Sequence, residues 1–354
     1  MQTTEPVQSY PKVLKIWLIV GLVMVIGQVV IGGITRLTGS GLSITKWEIV
    51  TGSLPPMSEQ AWNEEFDLYK TTPQYQKINQ GMSLPEFKFI YFWEYFHRLW
   101  ARLMGFVFAI PFFIFWRKGW IDRTLMRRLA IVIGLAVLAA SFGWIMVASG
   151  LVNRPWVNAY KLTLHLSIGL TLYSYLLWTT LHTVYPERGM VRNHNVNKWA
   201  KIMTLVLGIQ LVLGGIMSGM KAGLFYPTWP DMNGEFIPAL LFDAAQWNVD
   251  NFVHYDRTPF MSALIQVLHR FTAYVLTIIV LIYFFKARKI TGSKVFSTWL
   301  YLLITLLGIQ VALGILTVVH CVGVVPVGLG VLHQAGALLL LTAALFQNYA
   351  VGKK

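Results

Sequence analysis

Residues 92–100 read FWEYFHRLW and bring a carboxylate (Glu94), an imidazole (His97) and a guanidinium (Arg98) together among aromatic and leucine side chains. Such groups are costly in an apolar helix unless a partner or a function uses them. Three more histidines share that setting: His165 in LTLHL, His269 in VLHR and His333 in LHQ. Two imidazoles on non-adjacent helices, facing the core of a bundle, can clamp a metalloporphyrin, each giving an axial nitrogen to the iron. Taken singly, each could equally be a core histidine hydrogen-bonded across helices; their recurrence in pairs favours the ligand reading. No HExxH, CxxC or EF-hand pattern competes, and the single Cys321 excludes an all-cysteine iron–sulfur centre. No Asp or Glu near His165, His269 or His333 offers the anionic ligands of a zinc or di-iron site. His182, His194, His254 and His320 fall at helix boundaries or in outer loops and read as solvated.

The elements that must carry these residues are membrane helices. Of 354 residues, 56% are hydrophobic and only 12% charged, and the mean hydropathy is +0.57; a soluble domain carries about 25% charged residues. Runs long enough to cross about 30 Å of hydrocarbon recur near 13–34, 90–115, 127–150, 160–184, 200–220, 262–285, 297–319 and 326–349. The expected fold is therefore an all-α integral membrane protein with eight transmembrane helices.

The net charge of +14 follows topology and does not mark a nucleic-acid site. Lys12 and Lys15; Arg117, Lys118, Arg123, Arg127 and Arg128; Arg188, Arg192, Lys198 and Lys201; Lys286, Arg288, Lys289 and Lys294; and Lys353 with Lys354 all fall on alternate connections. Short basic loops stay in the cytoplasm, so both termini are expected inside and the four histidines at outer helix ends. No Arg- and Ser-rich transit segment or cleavage pattern opens the chain, which points to a bacterial cytoplasmic (inner) membrane. The lone cysteine permits no intrachain disulfide.

The chain repeats itself. At a constant offset of 182 residues, Gln28 matches Gln210 and Gly32–Gly33 matches Gly214–Gly215. Gly41–Leu42 then matches Gly223–Leu224, Trp47 matches Trp229, Gly52 matches Gly234 and Pro56 matches Pro238. His97–Arg98 and His269–Arg270 correspond, as do His165 and His333. An even number of helices per repeat makes this a parallel duplication: two tandem, pseudo-symmetric four-helix bundles. Their expected limits are 13–185, with outer loop 35–89, and 200–349, with outer loop 221–261; segments 1–12, 186–199 and 350–354 are cytoplasmic. Small residues at Gly32–Gly33, Gly143 and Gly214–Gly215 would let helices approach closely.

The halves are not equivalent. Glu94 stands three residues before its histidine, on the same helix face, where the second half has Gln266. Glu94 either pairs with Arg98 at i,i+4 or sets an ionisable group beside the porphyrin, as proton-coupled chemistry requires and a plain electron relay does not. Arg36, Arg98 and Arg270 either neutralise haem propionates or reach headgroups. Trp47, Trp93, Trp100, Trp144, Trp156 and Trp229 read first as an interfacial belt and second as walls of a porphyrin pocket.

EYFHR at 94–98, GGITRLTGSGLS at 32–43, GWIMVASGL at 143–151, LTLHL at 162–166, VLHR at 267–270 and LHQ at 332–334 resemble the signatures of the heme A synthase family over nearly the whole chain. The similarity is to the mitochondrial and Gram-negative branch, whose outer loops lack paired cysteines. The resemblance implies oxidation of the C8 methyl of heme O to a formyl group, giving heme A for haem-copper terminal oxidases. It implies that His269 and His333 hold a heme b, and that His97 and His165 hold the substrate. It makes Glu94 catalytic, as proton acceptor or as stabiliser of developing positive charge. Heme O, membrane lipid, heme O synthase, a quinone electron acceptor and a second copy of the chain are the partners to expect.

Two other readings stay open. A diheme b-type cytochrome confined to electron transfer or quinol oxidation explains the histidines but leaves Glu94 idle. A transporter fits the duplication but not polar groups gathered at outer helix ends. The segment 59–80 reads only as a lid over the first bundle.

Overall fold

The computed structural model describes residues 9–45, 54–150, 155–185 and 190–352. Trp47, Gly52, Leu151, Arg188, Lys353 and Lys354, named above, lie outside them, as do the first eight residues of the expected N-terminal segment.

Among the described residues the protein is helical apart from one two-residue strand pair. Seven helices of the described residues are long and apolar enough to cross a membrane: α1 (Lys12–Leu37), α4 (Leu84–Arg117), α5 (Arg123–Gly150), α7 (His194–Gly219), α9 (Phe260–Ala287), α10 (Lys294–Val319) and α11 (Val327–Ala350). It is a multi-pass membrane protein. The expected eighth span is present as a helix, α6 (Ala159–Val184, 26 residues), but it is less apolar than the other seven. Its composition explains this: Thr163, Thr171, Ser174, Thr179 and Thr180 each donate a hydroxyl to the carbonyl four residues back, at 2.7–2.8 Å. Back-bonded hydroxyls satisfy themselves within the helix, and α6 packs against α1, α5, α7 and α11, so it need not present a fully apolar surface.

Other boundaries fall within about four residues of the apolar runs, except at the starts of α7 and α4; α7 begins at His194, six residues before the run at 200, behind an Asn193 cap. Helix α4 begins at Leu84, six residues before the run at 90. Ser83 and Glu86 close a capping box there (Ser83 N and Oγ donate to Glu86 Oε2 at 2.8 and 2.7 Å). The added turns carry Phe87, which with Ile90 and Tyr91 is buried against Phe66 and Tyr69. These belong to α2 (Glu59–Lys70), capped by Ser58, and α3 (Pro73–Lys77), capped by Thr72, follows it. The expected lid is thus a helical pair docked on the first turns of α4. Gln74 ties it to the end of α1 by donating to Gly39 O at 2.8 Å.

Pro111 lies inside α4. Lacking an N–H, it strands the carbonyl of Val107, and the Trp17 indole of α1 donates to that oxygen at 3.1 Å. In hydrocarbon no water could do so.

The packing repeats along the chain. Helix α1 lies on α4 and α6, as α7 lies on α9 and α11. Helix α5 lies on α6, as α10 lies on α11. Across the middle, α1 meets α11 and α6 meets α7. A short helix, α8 (Val249–Val253), interrupts the segment before α9. Strands β1 (Val191–Arg192) and β2 (Val351–Gly352) pair in parallel, joining the central connection to the end of α11. Asn197 donates to Val351 O at 2.6 Å, and the Tyr349 hydroxyl to Tyr185 O.

Candidate functional site

All four histidines recur in one local construction, each resting on a glycine of the preceding long helix. A Cβ built on Gly32 would lie 3.1 Å from His97 Nε2, and one on Gly214 would lie 3.2 Å from His269 Cε1. On Gly143 it would lie 3.1 Å from His165 Cε1, and on Gly314 only 2.9 Å from His333 Cε1. The helices can bring a ring this close only because no side chain stands there. Each histidine is partly buried rather than packed shut. His97 interacts electrostatically with His165, and His269 with His333, so the pairs read from the repeat are pairs in space.

The hydrogen bonds on the rings come from the neighbouring helices. Gln28 donates through Nε2 to His97 Nε2 at 2.9 Å and to the His97 carbonyl at 3.3 Å. Its repeat mate Gln210 donates to His269 Nε2 at 3.2 Å. Gln310 donates to His333 Nδ1 at 3.1 Å and to the His333 carbonyl at 2.9 Å. His165 differs, because its Nδ1 meets the Ala139 carbonyl at 3.0 Å. A carbonyl only accepts, so Nδ1 carries the proton and Nε2 keeps its lone pair. A metal-ligating imidazole commonly gives its other N–H to a backbone carbonyl in this way. The Oε1 atoms of Gln28, Gln210 and Gln310 and the Nδ1 of His269 are buried without partners among the described residues. A glutamine amide offers a donor or an acceptor according to which way it is turned, so each can serve either ring tautomer.

Two imidazoles per half, supported in this way, fit a bis-histidine haem. Among the described residues no group of three or more His, Cys, Asp or Glu could hold a bare metal ion.

Glu94 is 3% exposed and both its oxygens are engaged. Oε1 accepts from Arg98 Nη2 at 2.6 Å; Oε2 accepts from Ser43 N, Ser43 Oγ and Ile44 N at 2.8, 2.8 and 2.9 Å. The ion pair and the loop anchor are therefore one construction. In the second half Gln266 Nε2 donates to Tyr226 O at 2.8 Å, and Tyr226 is the repeat mate of Ile44. Both side chains fasten the chain that leaves the preceding helix, but only the first carries charge.

The three arginines also serve the protein. Arg270 donates to the carbonyls of Tyr226, Thr228, Pro230 and Asp231 at 2.6–3.3 Å. Arg98 holds Glu94, and Arg36 reaches across to the Ser218 and Gly219 carbonyls of α7 at 3.1 and 3.0 Å. Among the aromatics, Trp100 packs on Gly27 and donates to Met24 O at 2.9 Å, while Trp144 and Trp229 are exposed.

Sequence reasoning missed Gln310 and Gly314 as neighbours of His333, and gave Gln28 and Gln210 no role beyond marking the repeat. A glutamine one turn before a glycine, on the long helix preceding His97, His269 and His333, was the available signal.

Residues 15–345 match the family described as cytochrome oxidase assembly protein. The chain is similar to the heme A synthase of Nitrosospira multiformis, 40% identical over 356 residues that take in 100% of this chain and 97% of that protein. It is 36% identical to the heme A synthase of Flavobacterium johnsoniae over 341 residues, 96% of this chain and 97% of that one. With the heme A synthase of Parvibaculum lavamentivorans it shares 40% identity over 338 residues, covering 95% and 94%.

Proposed function

The chain belongs to the family of cytochrome oxidase assembly proteins, and from that membership we propose that it acts as a heme A synthase, a membrane oxidoreductase that converts heme O to heme A. The observation that carries the finer reading is the contrast between Glu94 and Gln266 within two otherwise matching histidine constructions. His97 and His165 hold the substrate, heme O, beside the charged wall. His269 and His333 hold a heme b beside the neutral one. When bound, haem supplies a redox-active iron; the chain supplies ligands, orientation and charge.

Within that division Glu94 acts as a fixed feature of the wall. Its oxygens already accept from four donors, so stabilising positive charge as the C8 methyl is oxidised suits it better than carrying a proton away. Three of those donors hold the Ser43–Ile44 turn against α4 and give the first site a rigid rim.

The architecture that goes with this reading is eight spans in two four-helix bundles, 13–185 and 200–349, in the bacterial inner membrane with both termini cytoplasmic. The polar side chains of α6 are compatible with a span enclosed by α1, α5, α7 and α11. Heme O synthase as the source of substrate and a quinone as electron acceptor are the partners this chemistry calls for.

The test is haem extraction from cells carrying this chain together with a heme O-producing enzyme. Heme A, or a hydroxylated heme O, is the expected product. A protein that binds haem but yields neither would be a diheme electron-transfer cytochrome instead.

A further inference from the structure

Helices α1 and α7 end in the same turn. Gly39 N donates to Arg36 O at 3.3 Å and Lys221 N to Ser218 O at 3.1 Å, at positions related by the repeat. The residue closing each turn is left-handed: Gly39 has φ 72° and Lys221 φ 51°. Glycine adopts this conformation without steric cost, whereas a residue with a Cβ crowds its own backbone there. Conformation alone favours glycine at 221 as it does at 39, yet the second half has an ammonium there.

The charge beside that ammonium is another cation. Arg36 comes from the first half and lies close enough to act with burial in pushing the Lys221 pKa down. Arg36 spends Nη2 on the last carbonyls of α7, and its Nε is buried without a partner. Neither cation has a carboxylate partner among the described residues. Two like charges drawn together without a counter-charge repel, the more so where water is scarce. Arg36 stands one helical turn, about 5.4 Å, beyond Gly32, on which His97 rests. Ser218 stands one turn beyond Gly214, on which His269 rests. The cations thus meet at the seam between the halves, just past the level of the rings.

We propose that Lys221 and Arg36 form a seat for a porphyrin carboxylate, a propionate of a haem held by the histidines. This rests on the haem reading above. Lys221 contributes a point charge, and Arg36 contributes the Nε–H that the protein leaves unused.

The test is a Soret titration of full-length protein, purified from haem-deficient cells, with haemin and with haemin dimethyl ester, whose acids are capped. Lys221→Gly is the informative variant because glycine suits the backbone there. It is expected to weaken haemin binding about tenfold and leave ester binding unchanged, with Lys221→Arg retaining most of the haemin affinity. Equal haemin affinity in Lys221→Gly and the unsubstituted protein would overturn the proposal, as would equal losses for both porphyrins. Unchanged haemin binding with loss of co-purifying phosphatidylglycerol would assign the ammonium to a lipid phosphate and overturn it too. If the unsubstituted protein takes up neither porphyrin, the haem reading itself fails and this one with it.

Discussion

At the scale of single residues, the site depends on groups that do two things at once. Glu94 is both the distinguishing charge of the first half and the anchor of the Ser43–Ile44 turn. Replacing it with Gln keeps the shape and removes the charge that Oε1 sets against Arg98, whose side chain is only 13% exposed. Removing one member of a buried pair costs about 3 kcal/mol. Glu94→Gln should therefore lower the thermal unfolding midpoint, keep haem and yield no heme A. An unchanged midpoint would mean that the pair contributes no stability, and a normal heme A yield would remove Glu94 from the chemistry. Gly314→Ala tests the ring cradle, because a methyl 2.9 Å from His333 Cε1 must displace the imidazole at a cost of about 1–3 kcal/mol. At least a tenfold loss of haem occupancy in the second half is expected, read from the pyridine haemochrome. The four histidines stood out because the repeat doubled them, and Glu94 because the repeat puts Gln266 in its place; the Glu94–Arg98 spacing already allowed the ion pair. Gln310 was not legible, because its counterpart near His165 is Ala139 and the comparison of halves is silent there. The grip of Ser43 and Ile44 on Glu94 depends on a chain reversal that no local pattern encodes.

At the scale of elements, apolar runs located the long helices to within a few residues, since a hydrocarbon slab demands length and composition together. The start of α4 and the pair α2–α3 escaped that reading because they are amphipathic and lie outside any such run. Their capping residues, Ser58, Thr72 and Ser83, were the signals available. The contact between α1 and α4 offers a sharper test. Trp17→Phe keeps ring packing against Phe108 and Phe115, at 4.9 and 5.4 Å between centroids, but orphans the Val107 carbonyl, at about 1–3 kcal/mol. In a Pro111→Ala background the new N–H satisfies that carbonyl and the same change should cost much less. Additive losses in thermal unfolding would show that the indole donor is not there to repair the proline.

At the scale of the whole molecule, the duplication was visible in the glycines, tryptophans and prolines that match at one offset. The β1–β2 pair was not, because two residues carry no periodicity. Arg36 ties the end of α1 to the end of α7, and Gly33 against Gln334, with Gly215 against Thr163 and Leu166, join the halves where α1 meets α11 and α6 meets α7. These two contacts are the same contact seen from either half, which is the self-complementary pattern of a two-fold dimer. The covalent link between the halves should then be dispensable for assembly. Residues 1–185 and 190–354, made as separate polypeptides in one membrane, should find each other and co-purify at equal stoichiometry. If they fail to associate, the seam is held by chain connectivity. If they succeed, a single gene encodes what behaves as a heterodimer, and each partner could be exchanged for another version of itself.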